Sequence, residues 1–257
     1  MDVSSGADRL ERARSTLEGL PLFSRDATGL TDEEAWAIAA EVDRRLLSRG
    51  RQRTGYKLGW TSAAMREALG IDTPNFGSLW DDMATTGTLA LSTLRHPKAE
   101  PEFAFRADQA LSGAGIGAAD VMRSGRWAVA LEVVDPRWES YDFTWLDNTA
   151  DGSSAAAYAL GPFVEVDVAP EDLSLTMTWG GERRSGGGRR SGDGRAAMGS
   201  PAEAVAYLLA ELTHRGTRLE AGMIVLTGGI TAPVDLRPGL EVDVSSPQLG
   251  SCTLVCT

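Results

Sequence analysis

His96-Pro97-Lys98-Ala99-Glu100-Pro101-Glu102-Phe103-Ala104-Phe105 is apolar and extended-looking beyond its first proline, and it reads as a short strand. Side chains two apart on a strand share a face, so Glu100 and Glu102 set two carboxylates side by side. Adjacent anions repel unless a positive charge lies between them. A third carboxylate, Glu132, sits in Trp127-Ala-Val-Ala-Leu-Glu-Val-Val134 with apolar residues on both flanks. Burying a lone carboxylate costs several kcal/mol, so Glu132 requires a partner. Three carboxylates with no histidine among them describe a hard-cation site of the Mg2+ or Mn2+ kind. A plainer reading stands beside it. Glu-x-Glu on a strand also makes a solvated face, and Glu132 can meet one of the chain's many arginines.

The bulk properties narrow the function classes. The chain has 257 residues, enough for one large domain, or a domain with a small appendage, around a substantial core. Its 42% hydrophobic and 24% charged residues are those of an ordinary soluble globular protein. A formal net charge of −11 argues against non-specific nucleic-acid binding and against an anionic membrane surface. An acidic protein that takes an anionic substrate must supply local positive charge, and a divalent cation is one means. No apolar run approaches the roughly 18 residues a membrane span needs. Met1-Asp-Val-Ser-Ser-Gly-Ala-Asp8 lacks the basic start and apolar centre of a signal peptide. Cys252 and Cys256 fall four apart on a strand-like segment, about 13 Å between Cα atoms, too far for a disulfide. A reduced, cytoplasmic protein is the expectation.

Along the chain, residues 7–18 suit a first helix with Leu10, Ala13 and Leu17 on one side. Thr31 with Glu34 makes a capping box for a second helix, whose stripe of Ala35, Ile38, Val42 and Leu46 is stopped by Gly50. These form a helical N-terminal region over 1–52, followed by a β-rich catalytic domain over 53–257. Thr54–Trp60 reads as a strand, Thr61 caps a short helix through Met65 and Leu69, and Asp72–Gly77 reads as turn chemistry. Further strands are predicted at 88–91, 102–106, 127–134, 156–160, 173–179, 223–227, 240–244 and 251–256. Ser200-Pro-Ala-Glu203 predicts a capping box and a helix with Val205, Leu208, Leu209 and Leu212 on its buried stripe, stopped by Gly216. Many strands with few helices predict an α+β fold rather than a doubly wound sheet. Gly180–Gly194 is low in complexity and lacks a phosphate-cradling Gly-Lys-Ser/Thr ending, so it reads as a surface loop. Gly113-Ala-Gly-Ile-Gly117 matches a dinucleotide fingerprint only by counting.

Only two histidines are present, His96 and His214, which disfavours a Ser-His-Asp triad or a histidine-rich zinc site. His214 falls in a last helical turn, where it satisfies the helix end, and His96 reads as a loop residue. Lysine and carboxylates remain for proton transfer. Lys57 lies in Gly55-Tyr-Lys-Leu-Gly59, whose glycines allow close backbone approach. Near a metal its pKa would fall, suiting proton transfer. An edge-strand lysine that guards against aggregation is the competing reading.

Gly55-Tyr-Lys-Leu-Gly-Trp-Thr-Ser62, Leu69-Gly-Ile-Asp-Thr-Pro-Asn-Phe-Gly77, Asp82-Met83 and Pro97–Phe105 follow one another in an order that carries a resemblance. Ala130-Leu-Glu-Val-Val-Asp135, Thr149-Ala-Asp-Gly-Ser-Ser154 and Leu226-Thr-Gly-Gly-Ile-Thr231 continue it. From about residue 30 onward the chain resembles the fumarylacetoacetate hydrolase superfamily, in its 2-oxopent-4-enoate hydratase and 4-oxalocrotonate decarboxylase branch. The resemblance implies a mixed β-roll, barrel-like catalytic domain with a helical N-terminal region. It also implies Mg2+ or Mn2+ on Glu100, Glu102 and Glu132, and a small 2-oxo acid as substrate. By the same resemblance, Lys57, Ser154 and Asp82 are expected in catalysis, and Thr231, Leu79, Trp80 and Phe76 at the substrate. Trp60, Phe76 and Trp80 read either as an apolar wall of the site or as ordinary core.

Within that branch, hydratases carry Pro-Asp-Phe-Gly where this chain has Pro74-Asn75-Phe76-Gly77. Thr227-Gly-Gly-Ile-Thr231, and Glu132–Trp138 followed by Tyr141-Asp-Phe-Thr144, look more like the decarboxylases. The expected activity is metal-dependent decarboxylation of a 2-oxo-enedioate to a 2-hydroxydienoate and CO2. Hydration of 2-hydroxypenta-2,4-dienoate is the alternative, with Asp81 or Asp82 in place of the missing aspartate. A degraded homologue kept as a partner subunit is the third. A homo-oligomer is expected, as is a complex with a related hydratase or decarboxylase.

Overall fold

Asp2 caps the first helix, its side chain accepting from the Ser5 amide at 2.7 Å, so α1 runs over Val3–Thr16 rather than 7–18. Thr31 and Glu34 form the expected reciprocal capping box at the head of α2 (Asp32–Ser48), which left-handed Gly50 follows. Leu10, Leu22, Phe23, Ala35 and Ile38 then pack as one apolar cluster against Trp138 and Ala150. The computed structural model describes residues 1–113, 115–180 and 187–257.

After the helices come β1 (Arg53–Gly59), α3 (Ala63–Leu69), β2 (Asn75–Trp80), β3 (Thr88–Leu89) and β4 (Lys98–Ala107). Next are α4 (Ala118–Arg123), β5 (Gly125–Val134), α5 (Trp145–Ala150), β6 (Ala155–Leu160), β7 (Ser174–Trp179) and β8 (Gly188–Asp193). The chain continues through α6 (Pro201–His214), β9 (Ile224–Leu226), β10 (Val234–Asp235), β11 (Glu241–Ser246) and β12 (Gly250–Cys256). Among the described residues the strands make two sheets. One runs β2-β1-β9-β4-β5-β6, with β10 also on β4, and the other runs β3-β12-β11-β7-β8. The β1–β9 and β3–β12 pairs are parallel and the rest antiparallel, which gives the mixed, barrel-like α+β fold expected.

Strand alternation sorts β4 between two surroundings. Phe103 and Phe105 enter the main core with Trp127 and Val129, against Val242, Val244 and Leu254 of the small sheet and Leu208 and Leu209 of α6. Each such side chain contributes about 1.5–3 kcal/mol on burial. Glu100, Glu102 and Ala104 take the opposite face, where Ala104, Ala128 and Ala130 join a smaller cluster. Pro101 is tolerated mid-sheet because its edge of β4 faces the gap between β10, paired at Lys98 and Ala99, and β9, paired from Ala104 onward. Its carbonyl accepts from Ile230 in that gap at 2.9 Å.

The structure departs from the sequence reading at several elements. Asn75-Phe-Gly77 is not part of a turn but opens β2, a strand buried along its whole length. Gly77 is required there, because a Cβ would lie 1.9 Å from the Gly152 carbonyl oxygen. Ser62 rather than Thr61 caps α3, and Thr61 instead packs on Gly228, whose φ is 96°. Ser200 caps α6 through the Ala202 amide without a Glu203 partner. Residues 188–193, read as loop, pair with β7 as β8; Gly188 lets the Trp179 ring lie directly on the backbone. The loop expectation for 181–186 lies outside the described residues. Two short helices, α4 and α5, were not predicted.

Candidate active site

The β4–β5 register sets Glu100 directly opposite Glu132, and Glu102 shares Glu100's face. The three carboxylates converge, one oxygen from each lying within 4.8 Å of the others. Glu102 and Glu132 are fully buried and Glu100 lines a cavity of about 400 Å3. Glu102 Oε2 accepts from the Gly228 amide at 2.8 Å. Its Oε1 and Glu132 Oε2 have no hydrogen-bond partner. Lys57, reaching over from β1, brings Nζ to 3.1 Å from Glu132 Oε1 as an ion pair and donates to the Ser153 carbonyl at 2.8 Å.

Lys57 is the one ammonium in contact with the three carboxylates, with Lys98 acting on Glu100 from farther away, so the ionised group is short of positive charge in a buried space. Burial, and then the charge of Glu132, lifts the Glu100 carboxyl to about 7. The same causes raise Glu102 well above the usual carboxylate range. For Lys57, burial pulls the pKa down, but Glu132, Glu100 and Glu102 together outweigh it and leave the ammonium raised. The raise follows from the carboxylates' own charge; the fall expected from the sequence concerns the site with its cation, whose charge would act in the opposite direction. Orphaned buried oxygens, an all-oxygen donor set and a shortage of positive charge fit a divalent hard cation.

A polar scaffold behind the cavity fixes Lys57's second partner. Ser153 and Ser154 have φ of 55° and 58°, a left-handed pair without glycine, so the surroundings must hold them. Asn75 does so in part: its Nδ2 donates to Asn148 Oδ1 at 2.9 Å and to Thr149 Oγ1 at 3.0 Å, while its Oδ1 accepts from Ser153 Oγ at 3.1 Å. Asn148 in turn donates to Ser154 Oγ at 2.9 Å and accepts from Trp60 Nε1 at 2.9 Å. Buried Arg137 clamps the preceding turn through the Asp151 carboxylate and, at 2.7 Å, its carbonyl.

Lys57, Ser154 and Thr231 line the same cavity as Glu100, with Glu102 and Glu132 beside them. Phe76, Leu79, Trp80 and Asp82 do not line it. Phe76 pairs with Leu58 and so faces away from Lys57, stacking on Trp36 at 4.7 Å between centroids. Leu79 and Trp80 are core residues. Asp82 is exposed and ion-paired with Arg51. Trp60 does line the cavity, with Phe143 as a second aromatic wall. Sequence reasoning missed Ser153, Asn148, Tyr141, Phe143 and Lys98. Signals were present: Lys98 lies two before Glu100 on the same strand face, and Tyr141, Phe143 and Ser153 fall within motifs that carried the resemblance.

Residues 87–255 match the family described as fumarylacetoacetate (FAA) hydrolase C-terminal. The chain is 32% identical over 241 residues to a 4-oxalocrotonate decarboxylase of Pseudomonas sp. (strain CF600), covering 93% of this chain and 90% of that one. It is 35% identical over 258 residues to the TodF product hydratase of Pseudomonas putida (strain F1), covering 98% and 94%. Among solved structures, the 4-oxalocrotonate decarboxylase of Pseudomonas putida G7, complexed with magnesium and adipate, superposes with a TM-score of 0.91 at 30% identity, covering 99% and 97%. With the family match spanning well over half its length and full-length relatives at this identity, the chain belongs to the fumarylacetoacetate hydrolase family.

Proposed function

We propose that the protein is a divalent-cation-dependent lyase that removes CO2 from a 2-oxo-enedioate such as 2-oxohex-3-enedioate, giving 2-hydroxypenta-2,4-dienoate. The observation that carries this reading is the convergence of three carboxylates in which Glu102 Oε1 and Glu132 Oε2 are buried without a donor and Glu132 Oε1 has only the Lys57 ammonium. Mg2+ or Mn2+ held by Glu100, Glu102 and Glu132 would supply Lewis acidity toward a 2-oxo acid, worth several kcal/mol at the transition state. In the reaction the C5–C6 bond breaks, its electron pair moves through the conjugated carbons to the 2-oxygen, and CO2 departs. One proton then completes the enol. Lys57, on the cavity wall 3.1 Å from Glu132, would supply it. Ser154 and Thr231 orient substrate oxygens, and Trp60 and Phe143 keep water from the departing carboxylate, which favours neutral CO2.

Glu100 is the only carboxylate among the described residues lining the cavity, which favours decarboxylation over addition of water. Asn75 spends its amide on the scaffold, and Asp82, the expected substitute for an acid–base aspartate, lies elsewhere. Hydration of a 2-hydroxydienoate remains the second reading, favoured by the hydratase relative's 35% identity. No helix among the described residues is long and apolar enough to cross a membrane. The unpaired thiols Cys252 and Cys256 support a cytoplasmic enzyme, and a homo-oligomer or a complex with a related hydratase belongs to the same proposal.

The test offers 2-oxohex-3-enedioate and 2-hydroxypenta-2,4-dienoate separately, with Mg2+ and with chelator. Mg2+-dependent CO2 release from the first supports the proposal. Loss of dienoate absorbance without CO2 favours hydration, and metal binding without either signal favours a partner-subunit homologue.

A further inference from the structure

The geometry points to Lys98 as the residue that selects a dicarboxylate, by pairing with the carboxylate remote from the cation site. This inference rests on the 2-oxo acid reading of the same cavity. Among the described residues that line the cavity, Lys57 and Lys98 are the only cations. Lys57 is already committed to Glu132 and to the Ser153 carbonyl. Lys98 has weaker commitments. Its nearest carboxylate, Asp235, stands 3.4 Å away on an 86% exposed side chain, a pair of small worth in water.

The position of Lys98 relative to the glutamates is set by the strand. Lys98, Glu100 and Glu102 occupy alternate positions of β4 and so share one face. Successive members of that row are about 7 Å apart along the strand, the length scale of a short diacid. A substrate whose 2-oxo acid end lies at the glutamates therefore brings its far end toward Lys98. Tyr141 holds the ammonium in place: Nζ lies 4.0 Å from the ring centroid. The phenol itself is anchored through donation to the His96 carbonyl at 3.0 Å. The walls beside it, Val134 and Ile230, offer a carboxylate no other charge.

The pair exists in the bound ground state and dissolves as the carboxylate loses its charge to become CO2. Lys98 therefore serves binding and specificity, and it does not lower the barrier to bond cleavage. Its removal raises KM and leaves kcat unchanged or higher.

Calorimetry in Mg2+ with three non-reacting probes tests this. 2-Oxohexanedioate has both ends, 2-oxohexanoate lacks the remote carboxylate, and oxalate reads the cation site alone. The native protein should prefer the dioate to the monoacid by roughly ten- to a hundredfold. Lys98→Met should remove that preference while leaving 2-oxohexanoate and oxalate binding unchanged, and Lys98→Arg should retain most of it. Equal binding of the two oxo acids to the native protein would overturn the inference, as would parallel loss of all three probes in Lys98→Met. Oxalate binding that requires Mg2+ alongside such equality leaves the lyase proposal standing, whereas no oxalate binding at all sinks both.

Discussion

Lys57 Nζ lies 3.1 Å from Glu132 Oε1, and the other oxygen of Glu132 is buried with no hydrogen-bond partner. The lysine is thus a counter-charge to the carboxylate group while remaining at the cavity wall, where it can exchange a proton with substrate. The two duties separate on substitution. Lys57→Ala should lower kcat by about a hundredfold or more, as loss of a general acid does, with Mg2+ affinity changed only a few-fold. Steady-state kinetics beside a Mg2+ titration checks this. Turnover that survives the substitution means that Lys57 has been given the wrong role.

The raised carboxyls predict how the cation and pH act together. Glu100 moves from an ordinary 4.5 to about 7 in the fold, through burial first and Glu132 second. A carboxyl raised on folding stabilises the metal-free protein fully below its unfolded pKa, and that contribution is lost as pH rises through the folded value. Glu102 acts in the same direction. Mg2+ binds the deprotonated carboxylates, so the rise in Tm that it produces should grow between about pH 5 and about pH 8. Thermal melts with Mg2+ and with chelator across that range measure it, and a pH-independent increment contradicts it.

Gly77 and Gly152 meet so closely that a methyl group on the former has no room, at 1.9 Å from a carbonyl oxygen. Gly77→Ala should displace the 152–154 turn, costing about 1–3 kcal/mol of stability as overpacking does. Because Ser153 carries Lys57's second partner, kcat should fall as well. Gly117→Ala, at a position with nothing within 4 Å and an ordinary φ of −95°, is the control: it should leave kcat unchanged and cost no more than the roughly 0.5–1 kcal/mol of a poorer N-cap for α4.

Asp82→Asn distinguishes the two lyase chemistries. The side chain is exposed beside Arg51 and outside the cavity, so CO2 release should proceed at the native rate. A large loss would restore Asp82 to acid–base work and favour hydration.

How much of this was legible in the sequence depended on what local pattern encodes. The carboxylate pair and its partner strand were readable because period-two alternation with apolar flanks fixes which face Glu100, Glu102 and Glu132 share. The capping box at Thr31 and Glu34 was readable for the same local reason. β2 was not. Asn75 and Gly77 imitate a turn, yet one serves a buried amide network and the other a close backbone approach, both set by contacts some 75 residues away. Phe76 and Trp80 were misplaced because the face a strand residue takes depends on its pairing, and closeness to Lys57's strand does not bring a side chain to Lys57's face. The left-handed turn carries one glycine, Gly152, but continues through Ser153 and Ser154, which local pattern does not announce.

The central claim is that Glu100, Glu102 and Glu132 hold one divalent cation, and crystals soaked in Mn2+ test it most directly. The account predicts a single strong manganese anomalous peak bonded to an oxygen of each glutamate, and its loss in Glu132→Ala. A map with no peak among those three side chains, or with manganese bound elsewhere in the cavity, would contradict it.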